Sequence, residues 1–410
     1  MRWLLLIALL IAPQVVFPQP KEKVIVLSWG DMIGSDQYRA LDTVEGVAEA
    51  VRAWKAAGIS KVLFRVDDFR LLLTHEIYVS KDYQLWYDTT RKAWDAGILK
   101  NAVDSVKRAG MEVQMWISLF DEGCPPKVLY SDRVPFPWQS RFSRDNPQYL
   151  SHDRSIDPNG RKYHYGHLEF AYPEVRRYTL DVIRKFSDTF PFDGVFLSVR
   201  SHSPPPDHAD QFGFNEPIVR EFERRYGKNI LRQSFDLEAW RSLRGEYFTT
   251  LLREVRAHLA SRGQKLSIGV AQGEHIGPPI GNMRIDWQRW VSERIVDELV
   301  VGHHTLERAT YPLRWQRGYG YVQNQDERVG LPPIEQSVRE AYGPLCRKHN
   351  VKLYVDVPLG NFHRVYDDIT LGTGKEPADR TEALIKLLEG LPDLTGIVID
   401  GRPFVRLPKN

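Results

Sequence analysis

Several signatures that would settle a function at sight are missing, and each absence narrows the field. There are two cysteines, Cys124 and Cys346, far apart in the chain, so one disulfide or none is available. No H-E-x-x-H occurs, and the first apolar run ends in Leu27-Ser28-Trp29 where a metal-hydrolase barrel would carry an H-x-H pair. No Gly-rich phosphate loop follows that run, which argues against a nucleotide-binding open sheet. The formal net charge is +3 and no long Lys/Arg block is present, so nothing points to nucleic acid. Repeats and low-complexity tracts are absent too.

What is present is a chain of 410 residues, 42% hydrophobic and 27% charged, able to bury a large core. Its 11 Trp and 18 Tyr include flat amphipathic rings suited to stacking on sugar faces, although such rings more often fill cores. Residues 1–20 differ from the rest. A short positive start, an apolar run from Trp3 to Ala12 and a Pro-bounded end read as a secretory signal peptide, which places the protein outside the cytoplasm, secreted or periplasmic. An uncleaved N-terminal anchor is the alternative. The remainder, 21–410, reads as a single domain.

Eight short apolar runs recur between helical patterns: Val24 to Leu27, Lys61 to Val66, Glu112 to Ser118, Phe192 to Leu197, Lys265 to Ala271, Glu298 to Val301, Lys352 to Val357 and Gly396 to Ile399. Between them, Val44, Val47, Val51 and Trp54 mark a helix with Asp42 as its expected cap and Gly58 as its stop. Further helices are expected over Trp94 to Ala109, from Pro173, over Asp236 to Leu259, from Asp286, over Val338 to His349 with a distortion at Pro344, and over Ala378 to Leu388. The order predicts a (β/α)8 TIM barrel with long βα loops.

Parity along each strand then says which groups share a face. Arg65 with Asp67, Gln114 with Trp116 and Ser118, Ser198 with Arg200 and His202, Gln272 with Glu274, Tyr354 with Asp356, and Val398 with Asp400 form sets whose polar members lie at the C-terminal strand ends. A barrel puts its working groups there. Glycoside hydrolysis needs one protonated and one ionised carboxylate, and Glu274, Asp356 and Asp400 are the candidates, with Glu274 as proton donor. Carboxyl groups roughly 5 Å apart would indicate retention and roughly 6.5 to 9.5 Å inversion. Trp29, Asp31, Arg65, Asp67, Trp116, Arg200, His202, Gln272 and His304 are candidates for holding substrate. The competing reading of every such acid is an arginine partner or helix cap, with Arg65, Arg200 and Arg402 at hand. His202, His303 and His304 raise zinc, but without the motifs above no metal or other cofactor is expected.

The element Phe192-Asp193-Gly194-Val195-Phe196-Leu197, followed by Phe212-Gly213-Phe214-Asn215 and Glu221-Phe222-x-x-Arg225-Tyr226-Gly227, resembles the family-10-like glycosyl hydrolases, secreted barrel proteins of bacteria. Asp286-Trp287-x-x-Trp290-Val291 leading to Val296-Asp297-Glu298-Leu299-Val300 resembles their approach to the sixth strand. The resemblance covers most of 23–400 and implies a (β/α)8 barrel and a carbohydrate substrate. At the end of the fourth strand, where related sugar-cleaving barrels commonly carry carboxylates, this chain has Ser198 and Arg200. The acids then come from other strands, or the barrel binds glycan without cleaving it. A metal-dependent hydrolase or deacetylase is the remaining alternative.

Overall fold

Eight strands pair in parallel and close on themselves: β1 (Glu22–Ser28), β2 (Ile59–Arg65), β3 (Glu112–Ser118), β4 (Gly194–Ser198), β5 (Lys265–Val270), β6 (Glu298–Val301), β7 (Lys352–Val357) and β8 (Gly396–Asp400). Each strand lies beside its neighbours in sequence, and β8 returns to β1 with Val24 opposite Val398 and Val26 opposite Asp400. The computed structural model describes residues 20–28, 41, 43–73, 77–79, 84–124, 138–199, 206, 210–277, 280–302, 332–357 and 377–400. The chain therefore has the expected (β/α)8 architecture, and no helix among the described residues is long and apolar enough to cross a membrane.

The helices follow the apolar stripes, with three departures. The first helix, α1 (Val44–Ala56), buries Val47, Val51 and Trp54 and stops at Gly58 in the left-handed region (φ 78°). Its cap is Thr43, whose hydroxyl accepts from the Gly46 amide at 3.0 Å, and not Asp42. Asp67, expected to prolong the second strand, opens a short helix, α2 (Asp67–Leu73). The single helix expected from Trp94 is two, α3 (Gln84–Asp95) and α4 (Ile98–Arg108), because Gly97 takes φ 68° and turns the chain between them.

Next come α5 (Pro173–Thr189), α6 (Glu216–Tyr226), α7 (Leu237–Ala260), α8 (Trp287–Ser292), α9 (Gly343–His349) and α10 (Pro377–Glu389). The distortion expected at Pro344 is a widened turn, Val338–Tyr342, just before α9. A proline ring lacks an N–H and excludes the carbonyl four residues back, so the helix opens there.

The barrel interior is layered. Val24, Leu63, Trp116, Phe196, Val300, Tyr354 and Val398 meet in one buried cluster, while intervening residues such as Ile25, Phe64, Met115 and Leu197 face the helices. Beneath that cluster, at the N-terminal ends of the strands, the filling is charged. Lys61 lies 2.6 Å from both oxygens of Glu298, and Gln114 and Ser267 donate to the same carboxylate at 3.0 and 2.7 Å. Tyr354 accepts from Lys61 at 3.0 Å and donates to Glu22 at 2.8 Å. Burial opposes ionisation of Glu22, but hydrogen bonds from Lys352 and Tyr354 outweigh it and hold the group below the usual carboxylate range.

This network ties β1, β2, β3, β5, β6 and β7 together at a face where a barrel keeps stability rather than chemistry. Each member has its partner inside the wall, so loss of one strands a buried charge. Lys61→Met is expected to lower unfolding free energy by about 3–5 kcal/mol in urea titration, and Lys61→Met with Glu298→Leu by clearly less than the two single losses combined. A single-variant cost below about 1 kcal/mol would contradict the network's role.

Candidate functional site

At the opposite, C-terminal end the strands of the barrel wall finish in polar groups. Arg65, the last residue of β2, donates from Nε to Asp67 at 2.8 Å and from Nη2 to Asp121 at 3.0 Å, and its guanidinium lies 5.7 Å from the Trp116 ring. The Asp67 carboxylate also accepts from the Ser118 amide at 3.2 Å, which links the ends of β2 and β3. One turn into α2, Arg70 donates to Glu122 at 2.8 and 3.1 Å and to the Tyr178 hydroxyl at 2.6 Å. Burial works against the Arg70 charge, but Glu122 and Tyr178 outweigh it and raise its pKa. Phe142 stacks on Tyr178 at 4.1 Å and shields the pair.

Asp67, Asp121 and Glu122 are thus buried acceptors for two arginines. Buried carboxylates of this kind are expensive to leave unpaired, so these three hold the β2 and β3 loops in place. Among the expected binding residues, Arg65 and Asp67 stand together at the mouth, and Trp116 lies buried beneath them against Arg65. Ser118 and Ser198, the ends of β3 and β4, are register partners beside them.

The expected catalytic residues divide. Asp356 is on β7 two residues past the inward-facing Tyr354, half-buried, with Val398 of β8 as its register partner. Asp400 ends β8 and pairs in register with Val26; its side chain is outside the described residues. Glu274 lies in the loop after β5, with Oε2 accepting from Arg284 at 2.9 Å and Oε1 from Gln288 at 3.2 Å. Its ion pair is roughly half exposed on both sides. Gln272 donates to Pro332 O at 2.7 Å and Ser337 Oγ at 2.8 Å, and the Gly273 amide donates to Tyr342, so the end of β5 is docked on the turn before α9. Burial pushes the Tyr342 hydroxyl up to about 12, which keeps it neutral in that role. Trp29, Asp31, Arg200, His202 and His304 lie outside the described residues, as does His303. Cys346 is a buried free thiol, and burial pushes it up to about 12.

The family model for glycosyl hydrolase-like 10 proteins matches residues 71–317, more than half of the chain and the part that builds the mouth from β3 to β6. The chain belongs to the glycosyl hydrolase-like 10 family. Similar solved structures include the catalytic domain of a β-amylase from Paenibacillus polymyxa (11% identity, 92% of this chain and 91% of that one, TM-score 0.45). Two β-galactosidases are also similar, from Halorubrum lacusprofundi (11%, 92% and 52%, TM-score 0.49) and Marinomonas ef1 (11%, 82% and 48%, TM-score 0.45). The glycosyl hydrolase-like 10 chain spans about half the length of each β-galactosidase. No curated protein sequence matches it.

In this glycosyl hydrolase-like 10 barrel the motif Phe212-Gly213-Phe214-Asn215 stitches the loops around the mouth. Phe212 stacks on His164 at 4.8 Å and Phe214 on Trp240 at 4.7 Å. Asn215 accepts from the His152 amide at 3.2 Å and donates to Leu150 O at 2.9 Å. Gly213 takes φ 114°, and a Cβ there would stand 2.3 Å from Arg244 Nε, so the guanidinium rests directly on the backbone.

Arg241 and Arg244, three residues apart on one face of α7, complete the framework. Arg241 pairs with Asp210 and with Glu238, and Glu238 reaches His275 at 3.3 Å. Arg244 reaches Glu169 at 3.4 Å. The loops after β3, β4 and β5 are therefore all fastened to one helix. These residues were missed in the sequence, where the only signal was two arginines within a buried helical stripe. His164 and His167 share one Nδ1–Nδ1 hydrogen bond of 2.9 Å inside this framework, which requires one donor and one acceptor ring.

Burial, with His164 and Arg244 nearby, holds His167 well below its usual 6.5. The folded protein refuses a proton that the unfolded chain accepts, so this contribution is intact above pH 6.5 and is lost as pH falls below it. Unfolding free energy is expected to drop by up to about 1.4 kcal/mol per pH unit below that point from this group. Denaturant midpoints of wild type and His167→Asn should converge as pH is lowered from 7.5 to 5; parallel curves would exclude His167 as the source.

Proposed function

We propose that this chain is an exported glycoside hydrolase that cleaves an oligosaccharide or polysaccharide at the C-terminal mouth of its barrel, without a metal. Family membership supports a carbohydrate-directed hydrolase, and the leader-like residues 1–20 support export. The observation that carries the site is the place of Asp356, half-buried at the end of β7 and two residues past the inward-facing Tyr354. Asp67, Asp121 and Glu122, nearby on the β2 and β3 loops, are buried in ion pairs with Arg65 and Arg70.

Asp356 is accordingly the first carboxylate of the mechanism. Asp400, at the end of the adjacent strand, and Glu274, after β5, are the candidates for its partner. Glu274 can serve as proton donor only if substrate displaces Arg284, because both of its oxygens are occupied. Trp116 forms the buried floor beneath the mouth, with Arg65 fixed against it. Trp29, Asp31, Arg200, His202 and His304 would extend the binding wall, with Arg200 suited to an acidic or sulfated sugar.

A second reading, a barrel that binds glycan without cleaving it, is favoured by β4 ending in Ser198 and by the arginine-neutralised acids beside it. One experiment separates the two. Reducing-end release from a glycan panel should fall roughly 10²–10⁴-fold in Asp356→Asn, with chelator changing nothing. Full activity in Asp356→Asn would remove it from the mechanism. Calorimetric binding with no product from wild type after long incubation would favour the second reading.

A further inference from the structure

Away from the mouth, aromatic and polar groups converge on a surface pocket. It has a volume of about 300 Å³ and is lined by Phe222, Tyr226, Lys228, Ser234, Phe235 and Asp236. That volume is at the low end for small-molecule sites, enough for one sugar ring. None of these six residues takes part in the Arg65 or Arg70 networks.

We propose that this pocket, between the end of α6 and the start of α7, is a second glycan site that holds a single sugar unit and anchors a longer chain. The carbohydrate class rests on the glycan-directed reading of the mouth. A pyranose has an apolar C–H face and a rim of hydroxyls. It needs a flat ring below and mixed donors and acceptors at the side.

Tyr226 supplies the ring. It is 48% exposed, rare for a large apolar side chain here, and it leans on the buried Phe222 at 4.5 Å between centroids. Phe235 closes the back edge-on to Phe222 at 5.8 Å. Lys228 supplies an ammonium donor and Ser234 a hydroxyl. Asp236 caps α7 through Oδ1, which takes the Glu238 and Ala239 amides at 2.9 and 3.1 Å, so Oδ2 is left to accept from a sugar hydroxyl.

The pocket walls are held by contacts within the fold. Gly227 turns the chain out of α6 with φ 63°. Arg154, from the loop after β3, donates to Ile230 O at 2.5 Å and Gln233 O at 2.6 Å and lies 5.1 Å from the Phe235 ring. The Asn229 amide donates to Gln233 Oε1 at 2.8 Å and Asn229 Oδ1 accepts from the Leu231 amide at 3.1 Å. Phe222 belongs to a second core with Phe214, Ile218 and Trp240, which fixes the floor. A wall built this way loses little freedom on binding, a condition for useful affinity from so small a contact.

The test is electrophoresis of the intact protein through native gels cast with soluble polysaccharides (xylan, mixed-linkage β-glucan, polygalacturonate, glycogen) against a sugar-free gel. Tyr226→Ala, an exposed position, is expected to keep the fold and to weaken retardation by at least one of these polymers roughly five- to tenfold. Tyr226→Trp should retain it. Lys228→Ala should weaken the same interaction, while rates on short oligosaccharides stay at wild-type level. Retardation unchanged in Tyr226→Ala, or no retardation by any polymer, overturns the site. Binding that depends on Tyr226 in a protein that cleaves nothing upholds the pocket and sinks the hydrolase reading. Cleavage that depends on Asp356 without any effect of Tyr226 does the reverse.

Discussion

A closed barrel of eight strands must fill its own interior, and here the filling changes character along the axis. At the base the inward residues are the Lys61–Glu298 pair and the side chains that satisfy it. In the middle they are rings and branched aliphatics around Trp116, Phe196 and Tyr354. At the mouth they are Arg65, Ser118, Ser198 and Asp356. Alternation along the strands enforces all three layers at once, since a one-residue slip in β2 or β6 would turn Lys61 or Glu298 toward the apolar helix layer.

Both ends carry buried charge, but for different ends. At the base the Lys61–Glu298 pair is closed: the buried ammonium meets its carboxylate within the wall. At the mouth, arginines are used to fix loops. Arg65 and Arg70 hold the segments after β2 and β3, and Arg241 and Arg244 hold those after β3, β4 and β5 against α7. A binding surface carried on loops needs such fastening, because an acid displaced by an ångström loses most of its effect on a reacting bond. Asp67, Asp121 and Glu122 are the acids that do this fastening.

Much of the fold was legible because it rests on local rules. Apolar runs bounded by polar ends gave all eight strands, and Gly58 marked a helix stop through its left-handed conformation. What escaped was decided at long range or by one backbone torsion. Nothing in the residues around Trp94 distinguishes a helix start from a helix broken three residues later at Gly97. The Arg70–Glu122 pair joins positions 52 apart, and either residue alone reads as an exposed charge. Glu274, flanked by Gly273 and His275, looked like an isolated acid until the chain turned back and set Arg284 against it. Parity did bring Arg65, Trp116 and Asp356 to one end, because that inference needs only the strand period and the closure of the sheet.

The central claim is that glycan is bound at the mouth, above Trp116 and beside Asp356. Hydrogen exchange read by mass spectrometry, with and without a saturating glycan that the protein retains in gels, addresses it most directly. Amides of Ser118 to Glu122 and of Asp356 to Val357 are predicted to slow on binding while the β-strand starts at Lys61 and Glu298 stay unchanged. Protection that leaves both mouth segments untouched would contradict the assignment.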